Sequence, residues 1–292
     1  MPFAFSTSAI TKIPSTRLAL IDSSGEGATE LARLRERAGQ TFTLVPESIT
    51  SAALSATGYA GSLNMTRDEA RALGMSVGCD YYLLLLARAP QRPGADNQPS
   101  HEAILALFII ETRSGNLLDF QYARARGADE PAARRELAPH IDTAWEKSAT
   151  AIARAGDRNR QRSENIPPAM PPDMPVDMIE MSAGDEAATD LAQPVFFQRL
   201  RPAYTPEAES LGVTAVVELA VVFGADARVG EIEILRWAGF GLEAAAIETV
   251  RQLQFKPATR NGRRVNLRAL VRYNFRLPPC DHRQGATKRR RA

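Results

Sequence analysis

The segment from Gly239 to Leu277 changes its hydrophobic period midway, and that change limits what the chain can fold into. Leu242, Ala246, Val250 and Leu253 recur at i, i+4, i+8 and i+11, one apolar stripe of a helix that also carries Glu243, Glu248 and Arg251. Phe255, Lys256 and Pro257 end it, because proline lacks an N–H and disfavours helical geometry at the preceding residue. From Arg264 the period becomes two: Val265, Leu267, Ala269, Val271, Tyr273, Phe275 and Leu277 form one face. Arg264, Asn266, Arg268, Leu270, Arg272, Asn274 and Arg276 form the other, which predicts a half-buried strand with a cationic outer face.

Two stretches precede this one, Pro202 to Ala208 (PAYTPEA) and Gly212 to Arg236, the second alternating well enough for two strands. Taken with Pro202, Tyr204, Pro206, Ala208, Gly212, Gly241-Leu242, Ala246, Phe255-Lys256-Pro257-Ala258 and Gly262, the region resembles the carboxyl-terminal domain of TonB-type energy transducers. The resemblance covers about 75 residues, roughly a quarter of the chain. It implies a small two-layer domain: a three-stranded antiparallel sheet, a helix over residues 242–253 and a shorter helix near Ala208. One departure is the turn between the first two strands, where Asp226-Ala227 stands for the usual Asp-Gly. Alanine resists a positive φ, so Gly224 or Asp226 is expected to supply it in a longer loop.

The 292 residues suffice for two domains, and 44% hydrophobic with 24% charged residues is a globular composition. Charge is unevenly spread: residues 1–155 carry 16 basic and 17 acidic side chains, 156–196 carry 3 and 8, and 197–292 carry 17 and 9. A basic terminal module behind an acidic connector suits an acidic partner surface, or simply a well-solvated face. Cys79 and Cys280 lie in different predicted domains, without metal-ligand spacing or a disulfide framework; Cys79 reads as a small buried hydrophobe. The longest apolar runs, Leu83–Ala87 and Ala103–Ile110, fall far short of the roughly 20 residues a membrane helix needs. The amino terminus has no early basic residue and no sustained apolar core, so no signal peptide is expected. Transducers of the family are anchored by an amino-terminal helix; here the anchor is either absent by design or lost with a truncated start.

Along the chain, Arg17–Asp22 reads as a buried strand, Thr29–Ala38 as a helix and Thr41–Pro46 as a second strand. The intervening Ser23-Ser24-Gly25-Glu26-Gly27 lacks the Gly-Lys-Ser/Thr ending of a phosphate loop and places Glu26 where a phosphate would sit. Thr66 and Glu69 form a capping box for a helix to Val77. Asp80–Ala87 and Glu102–Glu111 are near-continuous apolar strands, expected to be buried on both faces. Ser114-Gly115-Asn116 turns into a hairpin partner from Leu117 to Ala123, and Glu130–Ala155 is a closing helix in which Pro139 implies a kink or two shorter helices. This order, with LGMSVGCDYYLLLL and FIIETRSGNLL, resembles the CsgG-type or TolB amino-terminal α/β domains of bacterial envelope proteins, which implies a non-enzymatic assembly role and transfers no site residue. The expected divisions are an α/β domain with a two- or three-layer sheet (1–155), a proline-rich acidic linker (156–196), the TonB-like domain (197–279) and a basic tail (280–292).

In the linker Pro167, Pro168, Pro171, Pro172, Pro175 and Pro194 punctuate polar residues, so the 4, 4, 3 spacing of Met170, Met174, Met178 and Met181 belongs to an extended tether, not a helical stripe. No catalytic constellation is visible. His101, His140 and His282 lie far apart, in an expected loop, a helix and the tail, none beside a nucleophile motif or in a metal-spaced cluster. Glu231 and Glu233 share one strand face and are expected to form cross-strand ion pairs with the arginine-bearing strand. The tail Lys288–Arg291 has no interleaved aromatics, so base stacking and a nucleic-acid partner are not indicated. Neither an enzymatic activity nor a cofactor or metal is expected.

A three-stranded sheet leaves two edges whose N–H and C=O groups are open to strand addition. The resemblance implies that such a domain captures the amino-terminal peptide, or TonB box, of an outer-membrane TonB-dependent transporter and supports energised transmembrane transport from the periplasm. The implied contact residues are Tyr204 in the recognition segment and Arg264, Asn266, Arg268, Arg272, Asn274 and Arg276 on the last strand. An inner-membrane energising complex enters the scheme only with an anchor outside this chain, and a homodimer stays open. The alternative is a non-energising envelope scaffold in which the TonB-like domain only docks the α/β domain.

Overall fold

The computed structural model describes residues 16–93, 99–164, 178–181 and 191–276. The five linker prolines from Pro167 to Pro175, Cys280, His282 and the basic tail lie outside the described residues. The chain divides into two compact units, residues 1–176 with 235–239, and residues 177–234 with 240–292.

In the first unit the elements are β1 (Arg17–Asp22), α1 (Ala28–Gly39), β2 (Thr43–Leu44), α2 (Glu47–Thr57), α3 (Arg67–Val77) and β3 (Tyr81–Arg88). They continue as β4 (Gln91–Pro93), β5 (Pro99–Glu111), β6 (Leu117–Gly127) and α4 (Glu130–Glu164). β1 pairs in parallel with β2 and β3, whereas β3–β5 and β5–β6 are antiparallel. The predicted apolar strands are the centre of this sheet, and Ala103 to Ile110 are buried on both faces. On one face Leu83, Leu85, Leu105, Leu107 and Ile109 pack with Leu34 of α1 and Leu137, Ile141, Trp145 and Ile152 of α4. On the other, the buried Tyr82 hydroxyl donates to the Ala70 carbonyl of α3 at 2.8 Å. The architecture is therefore three-layered.

Thr66 caps α3 reciprocally with Glu69, as its sequence predicts. The loop after β1 holds no anion site of the phosphate-loop kind, because its donors are spent on its own aspartate. Asp22 accepts from Ser24 N (2.9 Å), Ser24 Oγ (2.7 Å), Gly25 N (3.1 Å) and Gly27 N (2.8 Å). Burial works against the Asp22 carboxylate, but these hydrogen bonds outweigh it and hold the group below its usual range. Cys79 is buried, and burial pushes its thiol up to about 11.

Three expectations change here. α2 was not anticipated, because ESITSAALSAT offers only a weak apolar stripe; Thr50 and Ala53 are its buried residues. α4 runs unbroken past Ala155 to Glu164 with Pro139 inside it. Pro139 and Arg135 are both exposed, so the carbonyl that loses its helical donor faces water instead. His101 lies in β5 and not in a loop.

Leu235–Gly239 completes the first unit. Trp237 is 1% exposed, its Nε1 donates to the Gly115 carbonyl at 3.3 Å, and its ring lies 5.8 Å from Phe108. Gly239 is required at its position: φ is +74°, and an added Cβ would come within 2.4 Å of Phe108 Cε1.

The second unit comprises β7 (Met178–Met181), β8 (Leu191–Ala192), β9 (Val195–Phe196), α5 (Pro206–Ser210), β10 (Ala215–Phe223), β11 (Val229–Arg236) and α6 (Leu242–Arg251). It ends with β12 (Phe255–Lys256), β13 (Thr259–Arg260), β14 (Arg263–Arg264) and β15 (Asn266–Phe275). Its main sheet has the order β11-β10-β15-β7. The three predicted antiparallel strands are its body, and β7 is an added fourth strand. Val217, Leu219, Val221 and Leu267 are buried in the sheet, as are Leu242, Ala246 and Val250 of the α6 stripe. Part of the expected tether is thus engaged: β7, β8 and β9 pair with β15, β13 and β12 respectively.

Candidate functional site: the outer edge of β15

The last strand is shorter than its alternation suggests. Arg264 belongs to a separate hairpin, β13–β14, whose two-residue turn is Asn261-Gly262 with φ of 49° and 77°. Those positive angles mark the turn type that Asn-Gly favours between short strands. Val265 is then tied to the Ala258 carbonyl at 3.0 Å, and β15 starts at Asn266.

β15 pairs along its length with β10, from Leu267↔Phe223 to Phe275↔Ala215. Its opposite side pairs in parallel with β7 over four positions, Asn266↔Met178 to Ala269↔Met181. Among the described residues no strand pairs with Leu270–Phe275 on that side. Alternate residues of that stretch direct N–H and C=O groups into the open edge.

The predicted contact residues divide into three groups. Asn266, Arg268, Arg272 and Asn274 alternate along β15 on one face, while Arg264 sits on the hairpin and Arg276 follows the strand. Asn266 is structural at its tip, its Oδ1 accepting from Ala225 N at 2.8 Å. Arg272 reaches directly across to Glu218, its Cα partner on β10, at 2.6 Å. Arg268 forms an ion pair with Glu233, reaching past β10 to β11. Two of the arginines are therefore already matched within their own sheet. Tyr204 lies at the other end of β15, its ring edge-on to Phe275 at 5.5 Å and its hydroxyl donating to the Val213 carbonyl at 2.6 Å. Burial raises its pKa. Thr205 beside it caps α5 and donates to the Phe240 carbonyl at 2.6 Å, which fixes the PAYTP segment against the start of α6.

Residues 201–277 match the family model for the Gram-negative bacterial TonB protein C-terminal region. This segment is a TonB-type carboxyl-terminal domain. Among solved structures, the Pseudomonas aeruginosa TonB C-terminal domain is similar at 18% identity, over 36% of this chain and 94% of that one, with a TM-score of 0.26. Hypothetical protein CT253 from Chlamydia trachomatis is similar at 8% identity over 47% and 99% of the two chains, TM-score 0.31. Lipoprotein GNA1162 from Neisseria meningitidis is similar at 13% identity over 48% and 99%, TM-score 0.31. No curated protein matches the chain in sequence.

Two features of the TonB-type domain were not read from its sequence. β7 lies in a proline-rich context that argues for a tether, and its four residues MIEM are too few to show a period. β9 brings Phe196 to within 5.2 Å of Phe223 and 5.9 Å of Phe255, while Phe197 stays 66% exposed. The run Val195-Phe196-Phe197 was the available signal, an apolar triplet just past Pro194. Among the described residues no group of His, Cys, Asp or Glu is arranged to hold a metal, and no helix is long and apolar enough to cross a membrane.

Proposed function

We propose that this protein is an envelope adaptor, located in the periplasm, whose TonB-type domain captures the amino-terminal peptide of an outer-membrane TonB-dependent transporter by strand addition to β15, in support of energised transport. The observation that carries the reading is the edge of Leu270–Phe275, which lacks a partner strand among the described residues while the opposite side of β15 is paired with β10 from Leu267 to Phe275. Backbone pairing supplies the affinity, and side-chain contacts select the register. Because Arg268 and Arg272 are paired with Glu233 and Glu218, the cationic contribution to selection falls to Arg276 and, on its hairpin, Arg264. In this proposal the expected boundaries 1–155, 156–196, 197–279 and 280–292 shift where the fold requires it, the first domain extending to the end of α4 at Glu164 and the paired strands β7 to β9 joining the TonB-type domain.

Titration calorimetry of the full chain with peptides from transporter amino termini tests the reading. Saturable binding is expected, lost when the peptide backbone is N-methylated at alternate positions, since methylation removes the donors of a strand pair. Absence of binding at millimolar peptide would overturn it.

A further inference from the structure

The edge proposed for peptide capture is already occupied at one end by the chain itself. Met178–Met181 pairs in parallel with Asn266–Ala269, and the pairing stops there although β15 continues to Phe275. We infer that Met178–Met181 is an intramolecular strap, a resident occupant of the β15 edge that an incoming peptide must displace; this rests on the capture reading above.

Several observations fit displacement better than a fixed structural role. The strap is four residues long, shorter than the commonest strand length of about five or six, so only a few backbone hydrogen bonds hold it. It is joined to β8, which is itself paired with β13, by only the nine residues 182–190, so its effective concentration at the edge is of the order of millimolar. Its surroundings in the sequence are acidic, with Asp173, Asp177, Glu180, Asp185 and Glu186 close by, whereas the hairpin before β15 carries Arg263 and Arg264 and the strand is followed by Arg276. Long-range attraction therefore keeps the strap near the edge without adding to its specificity. The open stretch from Leu270 to Phe275 lies directly beyond the strap in the same parallel direction. A peptide can therefore pair there first and advance toward Asn266 as the strap leaves.

An occupied edge lowers the apparent affinity for a peptide by the fraction of time the edge is open. Ile179→Pro removes an N–H and a residue that fits an extended pair. In the full chain, Ile179→Pro is expected to bind a transporter-derived peptide about tenfold more tightly than wild type. Hydrogen exchange at Asn266–Ala269 should be faster in the variant, and peptide should restore protection. Ala187→Pro, which lies between the strap and β8, is the control and should leave both readouts unchanged. Equal affinity in Ile179→Pro and wild type overturns the strap while capture stands. An equal gain from Ala187→Pro also overturns it, because a general change in the linker then explains the effect. No binding in any of the three proteins overturns the capture reading, and the strap's role with it.

Discussion

β5 and β15 are both long, central to their sheets and rich in aliphatic residues, yet they use their backbones differently. β5 is paired on both sides, by β3 and β4 along one and by β6 along the other, and Ala103 to Ile110 are closed off from solvent throughout. β15 is paired with β10 from Leu267 to Phe275 but, among the described residues, over only four positions on its other side, and Leu270, Val271 and Tyr273 are half-buried. β5 is covered by helices on both faces, so nothing of its backbone is left to offer. Among the described residues β15 keeps hydrogen-bonding capacity at an edge, the capacity on which the proposed capture rests.

Truncation separates the two most sharply. Leu107→Ala removes a side chain that is 0% exposed and leaves a cavity between the sheet and α4, so it should destabilise the first unit by about 2–5 kcal/mol. Leu270→Ala, on the half-buried outer side of β15, should cost about 1 kcal/mol or less. Both tryptophans, Trp145 and Trp237, are buried in the first unit, so denaturant unfolding followed by tryptophan fluorescence reads that unit alone. Hydrogen exchange across β10 and β15 reads Leu270→Ala in the second unit, and a loss of protection there larger in free energy than the fluorescence-detected loss for Leu107→Ala would break the comparison.

Acid should act on the first unit through the tie between α1 and α4. Arg33 and Arg37 both bond the Asp142 carboxylate, at 2.6 and 2.9 Å. The hydrogen bond from Arg33, opposed in part by burial and reinforced by Arg37, holds Asp142 down to about 2 from the ordinary 3.8. A depressed carboxylate contributes stability that is present above the unfolded value and is lost as pH falls from about 4 to about 2. The arginines are partly exposed, so screening reduces the contribution to about 1–2 kcal/mol. Asp142→Asn should lower stability at pH 7 by that amount and flatten the fluorescence-detected loss between pH 4 and 2. An unchanged acid profile would remove this tie from the account.

The difference between the two strands was partly legible in the sequence. The unbroken apolar runs around Leu83 and Leu107 announced strands buried on both faces, and the alternation after Val265 announced a one-sided strand; both periods are set by burial, which the sequence records directly. The capping box at Thr66 was legible because it is chemistry between neighbours. The ends of pairing were not. Whether Met178–Met181 lies against β15 depends on a match between segments some 90 residues apart, and four residues carry too little pattern to declare it. The division of Arg264 from β15 was written in Asn261-Gly262, a hairpin signal concealed by alternation that continues on either side of it. Of the candidate contact residues, the sequence could place a cationic row on one face but not show that Arg268 and Arg272 are matched by Glu233 and Glu218, since those partners depend on strand order.

The smallest predicted effect lies in the turn that joins β10 to β11, on the side of the TonB-type sheet away from the open edge. The expectation was that Gly224 or Asp226 would supply the positive φ, but Ala227 adopts it, at 66°. The turn is closed by Gly224 N to the Arg228 carbonyl at 2.8 Å and Ala227 N to the Gly224 carbonyl at 3.0 Å, while Asp226 Oδ1 accepts from Arg228 N at 3.0 Å. These bonds hold the alanine in a conformation that costs an L residue about 1–2 kcal/mol. Ala227→Gly relieves that strain and gives part of the gain back through the greater freedom of glycine in the unfolded chain. A net gain of about 0.5–1 kcal/mol is expected, read as slower hydrogen exchange across β10 and β11, with tryptophan fluorescence unfolding unchanged because the tryptophans lie in the other unit. Peptide affinity should also stay constant, since the turn lies away from Leu270–Phe275; a change in affinity with no change in exchange would show that the two edges of this sheet are coupled.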